Sequence, residues 1–245
     1  MANIVIFGGS RGLGAAFAVG LPRCGDKVWV VSRSRPASLT SSGDVGPDVA
    51  TEVADDVQRL WIQADLSQRD GIEKVKRVIG DEVLDTLIYN AGIWETKAFT
   101  ELSDGEIHAI IDTNLTSLLV GLRHLLDNLR KSGQGKIILI GSTCGLENEG
   151  ARAVVYVATK FGMRGAAQAI REVVRDAGIA VTCLSPGSMA TDLSYTEGRE
   201  AALTKYQGAR IPVQDLVDLV RSLLLLSPAA CVKDITIPAV MDTDV

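Results

Sequence analysis

Short apolar runs alternate with stretches of helical periodicity along most of the chain. Strand-like runs occupy 3–7, 27–32, 59–63, 86–90, 136–141 and 179–184, with a weaker one at 234–238. Alternation of strand and helix predicts an α/β fold built on a parallel sheet of about seven strands. Right-handed crossovers then place helices on both faces, and a ligand belongs beyond the carboxyl ends of the strands where the strand order reverses. A long helix is predicted around 105–131, where Ile107, Ile110, Ile111, Leu115, Leu118, Leu122, Leu126 and Leu129 form one apolar stripe. Residues 34–48 are rich in Ser, Pro and Gly and read as a loop, so the crossover helix expected there is short or irregular. There is no internal repeat and no composition break, which predicts one domain over 1–245.

The composition suits that reading. With 245 residues, 47% of them hydrophobic, the chain is long enough for a full core. A net charge of −5 and a pI of about 5.1 disfavour a nucleic-acid or anionic-membrane surface, which needs clustered Lys and Arg. Small molecules and other copies of the chain are the expected partners. Cys24, Cys144, Cys183 and Cys231 are widely separated, and neither His108 nor His124 has a Cys close by in sequence. Neither a disulfide framework nor a metal site is expected. The first strand starts by about residue 3, leaving no room for a signal peptide, and the late apolar run 223–226 is too short to span a bilayer. A reducing, cytoplasmic setting is the expectation.

The chemistry begins with Phe7-Gly8-Gly9-Ser10-Arg11-Gly12-Leu13-Gly14, which follows the first strand and opens a helix near Leu13. Glycines at 8, 12 and 14 suit a sharp turn, close approach to a pyrophosphate and tight helix–strand packing, with helix N–H groups facing the anion. Three nearby glycines also suit an ordinary βα turn, so later residues carry the decision. At the end of the second strand an acidic residue would bind ribose hydroxyls and repel a 2′-phosphate, but Ser32 stands there, followed by Arg33. Arg33, flanked by Arg11, favours NADP(H) over NAD(H); the plainer alternative makes Arg33 and Arg35 solvated loop residues. Asp65, with Leu66 beside it, follows the third strand and is either an adenine contact or a turn residue. Asn90-Ala91-Gly92 follows the fourth strand, Asn114 lies in the long helix, and Ser142 follows the fifth strand. Tyr156 and Lys160, four apart, share one helix face.

From about residue 3 to 192 these motifs resemble the short-chain dehydrogenase/reductase family, in its single-domain, NADP(H)-preferring branch. The glycine pattern carries Phe7 where the family has Thr, the N-N-A-G motif reads Tyr89-Asn90-Ala91-Gly92, and P-G-x-x-x-T reads Pro186-Gly187-Ser188-Met189-Ala190-Thr191. The resemblance implies a Rossmann-type fold and a catalytic set of Asn114, Ser142, Tyr156 and Lys160. It implies that Ser142 orients a carbonyl oxygen and Tyr156 donates its proton. Lys160 favours the phenolate and holds the nicotinamide ribose, and Asn114 supports a water that replaces the proton. It also implies cofactor contacts from Gly8, Ser10, Arg11, Gly12, Leu13 and Gly14 and from Asn90, Ala91 and Gly92. Pro186, Gly187 and Thr191 complete that set. Thr143 is the alternative to Ser142 if the loop is offset by one residue. Helix pairing in the family implies a homodimer or homotetramer, but the tail Asp234-Ile235-Thr236-Ile237-Pro238 lacks the paired glycines common there, which puts the tetramer in doubt.

The substrate pocket is expected from 93–97, 144–153 and a lid at 187–212, with Trp94, Glu147, Glu149, Met189 and Tyr195 as candidates. Glu147 and Glu149 would disfavour an anionic substrate unless Arg152 neutralises them. Two function classes remain: a reversible NADP(H)-dependent reductase of ketones or aldehydes, and a catalytically silent NADP(H)-binding regulator. Retention of all four catalytic types favours the enzyme, since a binding module needs no proton donor.

Overall fold

The computed structural model describes residues 1–37, 39, 43–46, 49–146 and 152–242. Among the described residues nine strands form one sheet: β1 (Asn3–Phe7), β2 (Lys27–Ser32), β3 (Gly43–Gly46), β4 (Val49–Ala54), β5 (Val57–Gln63), β6 (Thr86–Tyr89), β7 (Lys136–Ile140), β8 (Ala180–Pro186) and β9 (Asp234–Ile237). The order is β3-β4-β5-β2-β1-β6-β7-β8-β9, parallel from β5 to β9. The order reverses between β1 and β6, so the α/β doubly wound architecture holds and its switch point lies there.

Both faces are covered, which is why the central strands read as unbroken apolar runs rather than alternating ones. In β1, Val5 and Phe7 join the core under α2 (Arg69–Ile79), α4 (Ser117–Arg130) and α5 (Val154–Val174). Ile4 and Ile6 join the opposite core under α1 (Gly12–Gly20) and α7 (Val213–Leu225). Among the described residues no helix is long and apolar enough to cross a membrane.

Two expectations need correction. The seven expected strands form the parallel part of the sheet, but among the described residues the second crossover carries an antiparallel hairpin in place of a short or irregular helix, which adds β3 and β4 at one edge. Asp55 and Asp56 both hold positive φ, 53° and 55°, which is the backbone of a two-residue turn whose twist matches its flanking strands. The long helix is also interrupted: α3 (Asp104–Ile111) and α4 are joined by a π-helical turn, Asp112–Thr116. Tyr89, standing where the resembled motif has Asn, anchors that turn. Its hydroxyl donates to Thr113 O at 2.6 Å and lies 2.5 Å from Ser117 Oγ.

Candidate active site

The glycine loop is a backbone cradle that side chains would fill. Gly8 and Gly12 hold φ of 79° and 55°. A Cβ on Gly8 would sit 2.6 Å from Ala91 Cα, and one on Gly14 only 2.0 Å from Gly8 O. Both clashes are with backbone, which cannot swing aside. The loop therefore packs directly on the Asn90–Gly92 turn, where Asn90 Nδ2 donates to Gly8 O at 2.9 Å. Arg11, extended at φ −154°, precedes α1, whose first turn carries no acidic residue. The amides at this helix start are suited to an anion.

A cleft of about 690 Å³ lies over the strand ends at the switch point, within the range of small-molecule sites. Gly8, Ser10, Arg11, Gly12 and Leu13 line it from the loop, while Ser32 and Arg33 line it from the end of β2. Asp65 and Leu66 follow β5; Asn90, Ala91 and Gly92 follow β6; Met189 and Thr191 come from the loop after β8. Ile93, Thr113 and Asp192, which the sequence reading did not single out, line it too. Asp65 Oδ1 accepts from Ser67 N and Ser67 Oγ at 3.0 and 2.8 Å, so this carboxylate also serves as a turn residue. Gly14 lies behind the loop as a packing position. Pro186 and Gly187 lie outside the cleft lining: Gly187 N donates to Ile237 O at 2.9 Å, tying this turn to β9.

The four candidate catalytic residues do not line this cleft themselves; Asn114 and Lys160 stand directly behind Gly92, which does. A Cβ on Gly92 would lie 3.7 Å from Asn114 Oδ1 and 3.8 Å from Lys160 Nζ. Asn114 sits in the π turn, fully buried. Its Oδ1 accepts Ile93 N at 2.7 Å and its Nδ2 donates to Ile93 O at 3.0 Å and Thr159 Oγ1 at 3.1 Å. One amide thus ties the π turn to the strand β6 loop and to α5. Ser142 is buried at the start of the turn Thr143–Gly145, and its Oγ accepts Cys144 N at 3.2 Å. That turn packs on α5 at Lys160, since a Cβ on Gly145 would meet Lys160 backbone at 3.0 Å. Ser142, rather than Thr143, is the hydroxyl that acts on the Tyr156 phenol, favouring its ionised form.

Lys160 is 4% exposed and donates from Nζ to Ile140 O at 2.7 Å. Burial lowers its pKa to about 8. Burial pushes the Tyr156 phenol up to about 12, the Ser142 hydrogen bond pulling weakly the other way. The expected lowering of the Tyr156 pKa joined Lys160 to the positive nicotinamide of an oxidised cofactor; the protein's own groups by themselves act in the opposite direction. The ammonium lies 5.3 Å from the centre of the phenol ring and is committed to a carbonyl, so desolvation wins among the protein's own groups.

The substrate candidates divide. Trp94 is half exposed with its ring centre 4.4 Å from that of Tyr156, and Met189 lines the cleft. Tyr195 is elsewhere: a Cβ on Gly20 would lie 2.7 Å from Tyr195 Cζ, so the partly buried ring packs on α1 and against the core beneath α7. Glu147 and Glu149 lie outside the described residues. The segment 187–212 contains α6 (Arg199–Tyr206) and is pinned by Asp192, whose carboxylate accepts from Lys205 Nζ and Tyr206 Oη, each at 2.6 Å. The tail lacking paired glycines nonetheless makes contacts: Asp242 Oδ2 accepts Ser188 N at 3.0 Å, and Met241 N donates to Gly208 O at 3.2 Å.

Sequence reasoning missed Glu95. It is 6% exposed, and its Oε2 accepts Tyr156 N at 3.0 Å. The residue preceding α5, Ala153, offers no side-chain cap, so this carboxylate from a distant loop fills that role. No local pattern marks it, because the capped amide lies 61 residues away.

The class this arrangement defines is the α/β oxidoreductases. Residues 2–202 match the short chain dehydrogenase family, and the chain belongs to that family. It is 30% identical over 215 residues to a 3-oxoacyl-(acyl-carrier-protein) reductase of Vibrio cholerae, covering 84% of this chain and 82% of the relative. Over 150 residues it is 34% identical to an acetoacetyl-CoA reductase of Cupriavidus necator, 61% of this chain and 59% of that one. An alcohol dehydrogenase structure from the archaeon Thermococcus sibiricus, complexed with 5-hydroxy-NADP, has the same fold, with TM-score 0.80, 24% identity and coverage of 98% and 97%.

Proposed function

We propose that this protein is an NADP(H)-dependent carbonyl reductase, converting a ketone or aldehyde to an alcohol reversibly. The observation that carries the reading is that Asn114 and Lys160 stand behind Gly92, a lining residue of the glycine-cradled cleft, with Tyr156 beside Lys160 and Ser142 beside Tyr156. The cradle suits the cofactor because its backbone tolerates no side chain and opens onto a helix start. Arg11 and Arg33 line the cleft with no acidic residue at position 32, which suits a 2′-phosphate. When bound, the cofactor supplies the hydride. Tyr156, protonated at neutral pH, is the acid that gives a proton to the carbonyl oxygen as negative charge builds there. Ser142 hydrogen-bonds that oxygen, and Lys160 places a cation beside the phenol ring. The names of the two curated relatives describe reduction of an oxo group on an acyl thioester, which supports carbonyl chemistry here.

NADPH consumption measured over ketones, aldehydes, quinones and 3-oxoacyl thioesters tests the reading. Turnover with at least one class is the expected outcome. Tight NADPH binding with turnover on none would replace it with the silent regulator. A homodimer is also proposed, supported by exposed apolar residues Leu119 on α4 and Val154, Phe161 and Val173 on α5. Light scattering at micromolar concentration is expected to give twice the chain mass, and a monomer would refute it.

A further inference from the structure

Ser32 and Arg33 behave differently at the cofactor end of the cleft. A hydroxyl carries one hydrogen, and Ser32 uses it: Oγ donates to Ser34 O at 2.8 Å. The same Oγ accepts the Trp61 indole N–H at 3.1 Å, which also lies 3.3 Å from Ser32 O. One residue on, Arg33 O accepts Gln63 Nε2 at 3.2 Å. Ser32 therefore has no proton to offer a phosphate while this turn is intact, and Arg33 is left with an exposed guanidinium on a tethered backbone.

The tethers come from a rigid strand. Trp61 and Gln63 stand two apart on β5, hence on one face. On one side β5 pairs with β2, Trp61 opposite Val30 and Gln63 opposite Ser32; on the other it pairs with β4, Ala50 opposite Trp61. The hairpin that replaces the crossover helix thus turns β5 into an interior strand. Neither Trp61 nor Gln63 lines the cleft.

We propose that Trp61 and Gln63 are positioning residues for cofactor choice, holding the Ser32–Ser34 turn so that Arg33 is pre-set for a 2′-phosphate. The inference rests on the NADP(H) reading above. Pre-setting a cation raises affinity by sparing the ordering cost otherwise met on binding. Only the ligand that carries the phosphate gains, so the effect is on selectivity rather than on dinucleotide binding as such.

Calorimetric dissociation constants for NADPH and NADH, with the intact protein and with Trp61→Phe, Gln63→Leu and Arg33→Ala, test it. Trp61→Phe keeps an aromatic ring and removes the N–H; Gln63→Leu is exposed and folds irrespective of the indole. Each is expected to weaken NADPH by about threefold to tenfold, the loss of one hydrogen bond, with NADH within about twofold. Arg33→Ala sets the upper limit of selectivity loss. If the unmodified protein prefers NADPH but either variant weakens both cofactors equally, or neither, the inference is overturned while the cofactor reading stands. If the unmodified protein shows no preference for NADPH, the cofactor reading fails and takes the inference with it.

Discussion

Tyr156→Phe is expected to lower turnover by at least about a hundredfold, and by up to about ten-thousandfold, the range for a positioned general acid. The substitution removes one oxygen and keeps the ring, so its packing with Trp94, 4.4 Å between ring centres, survives. The amide that Glu95 accepts from belongs to the backbone and is untouched. Fold and NADPH affinity should therefore hold, and circular dichroism with a binding titration checks both. Absorbance titration adds a direct measure of the lost group. The tyrosinate step that disappears in Tyr156→Phe is expected well above the ordinary value for tyrosine, because burial disfavours the charged form. A variant retaining more than about a tenth of normal turnover would remove Tyr156 from the acid role.

Lys160→Met carries the second large effect. Methionine fills similar space in this buried site but removes the cation and the donor to Ile140 O. NADPH affinity is expected to fall about tenfold to a hundredfold, the worth of one charge-assisted hydrogen bond, and turnover with it. The pH dependence distinguishes charge from packing. Lys160 has its pKa lowered to about 8, so its charge is full at lower pH and is lost as pH rises through that value. Tyr156 remains protonated across the same window. Carbonyl reduction by the unmodified protein should therefore decline above about pH 8, and this decline should vanish in Lys160→Met. An identical alkaline limb in both proteins would assign the titration to another group.

Much of the site was legible because its chemistry is local in sequence. The glycines at 8, 12 and 14 are needed wherever a strand turns sharply into a helix against another backbone, so their spacing announces the cradle. Tyr156 and Lys160 share a helix face by arithmetic. The hairpin was also legible in retrospect: Val49 to Ala54 and Val57 to Gln63 are β-rich runs meeting at Asp55-Asp56, a two-residue turn signal overlooked beside the Ser, Pro and Gly of the preceding loop. The π turn was less visible, since Asn114 and Thr113 interrupt the apolar stripe without breaking it. What holds that turn is Tyr89, from a strand 24 residues earlier.

The sequence by itself determined the alternation of strands and helices and the residue types that bear the chemistry, because periodicity and backbone sterics act over a few residues. Only the tertiary structure decided what those residues have left to offer. It committed the Ser32 hydroxyl to Ser34 and Trp61, packed Tyr195 against α1, brought Glu95 to the start of α5 and sealed Lys160 against Ile140. Hydrogen-bond capacity and desolvation depend on neighbours distant in the chain, and these set the pKa values of Tyr156 and Lys160 and decide which donors face the cleft.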